Sequence, residues 1–218
     1  MNTETLIHNL ALQRRPVAPI GHPVKRFLIW AGSTVVFLIV AVWFLRPVPD
    51  LWGFAENSSF IFPALAMLFI SLICALSAFV LAVPDSRNRN FGIVSLSVLI
   101  FWFGAVAYLL ASSDVADSRP GLLCILRIIG LSIAPGALLF YLLKKAAPMN
   151  SGLVGLLAAL SSLALAGIAV QCLCNKSSEA AHVIVWHLLP VCLIATIGLL
   201  IGRLLFSWNV SNRIYPSE

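Results

Sequence analysis

The chain has 218 residues, 61% of them hydrophobic and only 10% charged, with a mean hydropathy of +1.00. That composition excludes a soluble globule and points to a polytopic membrane protein. The formal charge of +6 and pI near 9.4 do not argue for direct nucleic-acid binding, because the cations stand at the ends of apolar runs and not among aromatics.

Residues 1–12 place Leu6, Ile7 and Leu10 at helical spacing among Asn, Glu and His, which predicts one or two turns of amphipathic helix. Arg14 and Arg15 follow, then Pro16, Pro19 and Pro23, which exclude a continuous helix and favour extended backbone. On composition alone this head is a juxtamembrane anchor whose cations meet anionic lipid. It is also the longest stretch of chain free to meet a soluble partner. Polar residues and prolines ahead of the first apolar run do not match a cleavable signal peptide.

Six apolar segments come next, at about 27–45, 60–83, 92–112, 122–143, 151–173 and 183–206. Each approaches the roughly 20 residues that a helix needs to cross the hydrocarbon core. Backbone groups in lipid must pair within their own segment, so each segment is expected to be helical. The expected fold class is therefore all-α: a bundle of six transmembrane helices over 27–206, with tails at 1–26 and 207–218. The connectors are too short for a second soluble domain.

Charge sets the orientation. With the N-terminus inside, the inner side holds Arg14, Arg15, Lys25, Arg26, Arg87, Arg89, Lys144, Lys145, Arg203 and Arg213, against Arg46, Arg119, Arg127 and Lys176 outside. Ten cations against four predict that both termini are cytosolic. Trp30, Trp52, Trp186 and Trp208 fall near segment ends, where an aromatic belt places them. Ala158, Ser162 and Ala166 on the fifth segment and Gly198 and Gly202 on the sixth are small residues at close-packing spacing. These two segments are expected to touch, with homo-oligomerisation through the same faces as the lesser alternative. Pro135 and Pro190 are expected to bend their helices.

Signs of catalysis are few. The segments hold no Asp or Glu away from their ends, and Arg127, Gln171 and His187 sit within about two turns of the outer interface, where capping the bundle is their simplest role. No nucleophile–base pair, HExxH helix or phosphate-binding glycine loop is present, so no enzymatic activity is expected. The cysteines are more informative. Cys74 and Cys192 lie inside segments, whereas Cys124, Cys172 and Cys174 all map to the outer face, together with His182. Bacteria keep that compartment oxidising. A disulfide from Cys124 to Cys172 or Cys174, a soft metal ion on two thiolates and His182, and unrelated free thiols are the three readings left open.

Several short motifs recur in order along the chain. A Leu-rich N-terminus leads to Arg15-Pro16-Val17, with Pro23 and Arg26 downstream, and Arg46-Pro47 and Asp50-Leu51 follow the first segment. Ala78-Phe79-Val80-Leu81-Ala82-Val83-Pro84 closes the second, and Ala146-Ala147-Pro148 follows the fourth. Trp186-His187-Leu188 opens the sixth, which ends on Gly202-Arg203 and Trp208. In order and spacing these resemble the NrsF family, negative regulators of an extracytoplasmic-function sigma factor, sigma F. The resemblance implies a six-helix anti-sigma factor of the bacterial inner membrane, which keeps a cytosolic sigma factor from RNA polymerase until an envelope stress signal arrives. On that reading Leu6, Ile7 and Leu10 dock in a sigma-factor groove, and Arg14, Arg15, Pro16 and Val17 complete the partner-binding segment. A small transporter or channel is the alternative.

Overall fold

The computed structural model describes residues 3–12, 21–49, 58–83, 89–112, 120–146, 148 and 150–206. Arg14, Arg15, Pro16, Val17 and the tail at 207–218 lie outside the described residues, as do Trp52 and Trp208, and of Leu6 and Leu10 only the helical backbone is described. The elements are α1 (Thr3–Leu12), α2 (Pro23–Leu45), α3 (Ser58–Leu81), α4 (Arg89–Ser112), α5 (Leu122–Lys144), α6 (Ser151–Gln171) and α7 (Ala180–Leu205). Among the described residues there is no strand. Helices α2 to α7 are the six candidate membrane spans, as the apolar segments predict. Boundaries move by up to a turn. Helix α2 begins at Pro23, before the hydropathy edge, because proline loses no bond in a first turn and His22 caps it, its Nδ1 accepting from Val24 N at 3.3 Å.

The bundle is built around α6. Of the most apolar 18-residue stretch of α6, 78% is buried, against 17% in α2 and 22% in α4. Lipid is as apolar as leucine, so burial of this kind depends on small residues and internal hydrogen bonds. Both are present. Ser71 Oγ of α3 donates to the Ser161 carbonyl at 2.8 Å, and Ser161 Oγ of α6 donates back to the Ser71 carbonyl at 2.9 Å. Outside this pair, Trp30 of α2 is fully buried and its Nε1 donates to the Pro135 carbonyl of α5 at 3.0 Å. Trp30 is thus no member of an aromatic belt; a carbonyl inside the bundle satisfies its indole.

Helices α6 and α7 do touch, and the expected Gly198 and Gly202 lie at the contact, against Gly155 and Ala159 of α6. At one end Gly155 meets Gly198 and Gly202 backbone to backbone. A Cβ on Gly155 would lie 2.6 Å from the Gly202 Cα, and one on Gly198 would lie 2.6 Å from the Gly155 carbonyl oxygen. Ser162, from the predicted stripe, faces Gly136 of α5 and borders a cavity shared with Ile194 and Gly198 of α7. The stripe of small residues runs around α6 and serves several neighbours.

Neighbouring helices run antiparallel, which defines two ends of the bundle. Arg26, at the start of α2, stacks over Phe79 near the end of α3, 5.3 Å from the ring centroid. Gly152, at the start of α6, lies against Arg203 near the end of α7. The opposite end gathers Val48 after α2, the start of α5, the end of α6 and the start of α7. There Val48 N donates to the Cys172 carbonyl at 3.1 Å.

Candidate metal or redox centre

The second end of the bundle is where the chemistry-bearing residues converge. Cys124 stands in the first turn of α5. Helix α6 ends at Gln171, and a turn-rich segment runs from there to Glu179. That segment carries Cys174 inward, with Cys174 N donating to the Gln171 carbonyl at 3.3 Å. His182 enters from the first turn of α7. Cys124, Cys174, His182 and His187 are all buried, and their ligand atoms lie within 4.8 Å of one another.

The contacts inside the cluster are close. Cys124 Sγ donates to Cys174 Sγ at 3.6 Å. The Nε2 of His182 lies 3.7 Å from Cys124 Sγ and 3.4 Å from Cys174 Sγ. The His182 and His187 rings meet edge to face, with centroids 5.7 Å apart. The Cys124 S–H, and behind it the His187 imidazole, pull the Cys174 thiol below its ordinary pKa although burial works the other way.

A cavity of about 660 Å³ reaches the cluster, its polar lining residues including Arg46, Arg127, Asn175 and Lys176. Arg127 also fixes the turn after α6, its Nη1 donating to the Leu173 carbonyl at 3.2 Å. Gly121 closes the wall behind His182. A Cβ there would stand 2.8 Å from His182 Cε1 and 2.7 Å from Trp186 Cγ, so glycine is required by space.

Of the residues singled out from the sequence, the structure brings Cys124, Cys174 and His182 together and sets Cys172 apart. Cys172 caps α6 and lines an apolar groove beside Trp43, Ile168 and Ala169. Burial raises its thiol pKa. Two positions along a turn cannot both point inward, and Cys174 holds the inner one.

His187 is the residue that sequence reasoning missed. At about 100° per residue, an α-helix puts positions five apart roughly 140° apart around the axis. His182 and His187 would then face different neighbours. Residues Ile184–Leu188 instead form a π turn, in which Leu189 N–H donates to the Ile184 carbonyl five residues back. Pro190 supplies the cause. It has no N–H to donate, and its ring presses on the carbonyl four residues earlier, at Trp186. Widening the helix by one residue relieves that clash and turns His187 onto the His182 face. Pro190 was the available signal, since π turns arise where α register fails.

In α1, at the far end of the chain from these residues, Ile7 and Leu12 are exposed.

The NrsF family, described as negative regulator of sigma F, matches residues 10–208 of the chain. No curated protein and no solved structure matches it.

Proposed function

The chain belongs to the NrsF family, negative regulators of sigma F, and from that premise we propose that it is a membrane anti-sigma factor without enzymatic activity. It holds an extracytoplasmic-function sigma factor at the bacterial inner membrane and releases it on an envelope signal. The observation that carries this reading is the family match over 10–208, on a chain with six candidate spans. Nearly all its mass is then lipid-embedded, and the N-terminal tail is the longest stretch left to meet a soluble protein.

The charge asymmetry supports placing both termini in the cytosol and the thiol–imidazole cluster on the periplasmic face. In that orientation α1 offers its apolar residues to the partner. The exposure of Ile7 in a helix that also holds Leu6 and Leu10 suits docking in a groove. Arg14 and Arg15 would meet acidic sigma-factor residues, with Pro16 and Val17 extending the contact. Burying the three apolar side chains contributes roughly 1.5–3 kcal/mol each before ordering costs. The tail alone therefore binds weakly, and the cytosolic loops add the rest. The outer-face cluster is the input: a soft metal ion or an oxidant acting on Cys124, Cys174 and His182, with Cys172 nearby, shifts the helices that end there. Against a transporter stands the middle of the bundle, where Ser71 and Ser161 bond each other.

Co-purification of the inserted full chain with its sigma factor tests the reading. Deleting residues 2–14 is expected to abolish capture while the protein level stays unchanged. Undiminished capture by the deletion variant would refute the tail as the docking site. Absence of any sigma factor on the intact chain would refute the anti-sigma reading.

A further inference from the structure

The geometry points to a four-coordinate site for a tetrahedral dication of the zinc class, held by Cys124, Cys174, His182 and His187, whose occupancy holds the π turn of α7 in place. The inference names the ligand of the input site just described. It rests on that reading for its regulatory meaning alone, since metal binding needs no sigma factor.

Three observations carry it. The first is size. Bonds of about 2.3 Å to sulfur and 2.0–2.1 Å to nitrogen give a tetrahedron with edges of about 3.4–3.8 Å. Three of the six edges are already at that length, 3.6 Å between the sulfurs and 3.7 and 3.4 Å from the sulfurs to His182 Nε2, and a His187 nitrogen lies within 4.8 Å of these atoms. The second is an orphaned group. His187 is fully buried, yet neither of its ring nitrogens completes a hydrogen bond, and His182 Nδ1 is likewise without a partner. Buried polar groups are rarely left so, and a metal ion answers for a bare imidazole nitrogen aimed into a cluster of sulfurs. The third is register. The π turn puts both histidines on one face, which the α register forbids.

The donor set fixes the class of ion. Two sulfurs and two imidazoles are a borderline-soft set that suits zinc and its congeners and not magnesium or calcium. Two thiolates balance the charge of a dication, so the loaded site is neutral where it is buried. On loading, any proton still on the Cys124 or Cys174 sulfur passes to solvent, and each imidazole offers one nitrogen lone pair while keeping its proton on the other nitrogen. No electron changes hands. Because His182 and His187 reach one ion only in the π register, the bound ion locks that register at Ile184–Leu188.

The test uses the full-length chain in lipid nanodiscs, reduced, stripped with chelator and free of any sigma factor. Titration with Co²⁺ should saturate at one equivalent, with the ligand-field bands of tetrahedral cobalt and a sulfur-to-cobalt charge-transfer band. Zn²⁺ should displace it. Hydrogen exchange over 184–190 should slow at least tenfold on loading. His187→Ala should weaken Co²⁺ about 100-fold and abolish the exchange effect, since even indirect partners of ligands are worth 10–100-fold. Cys172→Ser should change neither. An octahedral spectrum, no stoichiometric binding, or a His187→Ala variant that behaves as wild type would overturn the site. If that variant does not fold, wild-type stoichiometry and the exchange at 184–190 decide alone. A failure here leaves sigma-factor capture by the same protein intact, so the two proposals fall separately.

Discussion

The helix pair α6–α7 is built on opposite principles at its two ends. At one, Gly155, Gly198 and Gly202 bring backbone against backbone, with no side chain between them. At the other, the partners are separated by a cluster of sulfurs and imidazoles, and α7 departs from α register to supply one of them. The first end has little to adjust, because the Gly155, Gly198 and Gly202 contacts are mostly main chain, with the Ala159 methyl beside them. The second end has groups that can bind a ligand, change protonation or repack. A stiff helix held firmly at one end and variably at the other can pass a change across the bilayer. The glycine end also carries Arg203, which faces the start of α6 at Gly152.

The largest expected effect comes from breaking the glycine end. Gly155→Leu would drive a side chain into the Gly198 and Gly202 backbone, where even a single Cβ lies 2.6 Å from a Cα. Overpacking of this kind costs about 3 kcal/mol or more, so thermal melts in detergent should show loss of the folded bundle. A wild-type melt would mean that the two helices can separate freely.

Next comes a change confined to the other end. Gly121→Ala places a Cβ 2.8 Å from His182 Cε1 and should displace the imidazole without unfolding the bundle. Co²⁺ affinity should fall about tenfold, whereas Gly130→Ala in α5, with nothing within 4 Å, should leave it unchanged. Equal effects of the two substitutions on Co²⁺ titrations would show that Gly121 does not position the site.

A smaller effect separates the ends from the middle. Ser161→Ala removes a hydrogen bond to the Ser71 carbonyl and should destabilise the fold by about 1 kcal/mol. Adding Ser71→Ala should cost less than the sum of the single changes, because the two serines act as a pair. Strict additivity in chemical denaturation would dissolve the pair. The smallest effect is expected at Cys172→Ser, whose side chain lines the apolar groove and whose carbonyl keeps its bond from Val48 N; its melting temperature and Co²⁺ spectrum should match the wild type.

The sequence by itself determined the number, type and approximate bounds of the spans. The reason is solvent: a stretch of about twenty apolar residues in lipid has one way to satisfy its backbone. It also determined that α6 and α7 would touch, since consecutive helices joined by a short turn are neighbours and both carry small residues. Which row of α6 meets α7 was not legible, because small residues run around the whole helix and only packing decides between Gly155 and the Ala158–Ser162 row. For the same reason Trp30 read as an interfacial anchor, although a carbonyl on α5 receives its indole. Three members of the cluster, Cys124, Cys174 and His182, were legible from the parity of the spans, which puts them at one end. Cys172 could not be told from Cys174, because the direction of a side chain in a turn is set by the turn. His187 was hidden by the assumption of regular α register, and Pro190 breaks that register only through its clash with a carbonyl in the folded helix. Hydropathy fixes which segments enter the bilayer; the rotation of each helix about its axis, and hence the membership of the site, follows from contacts between segments that no single segment encodes.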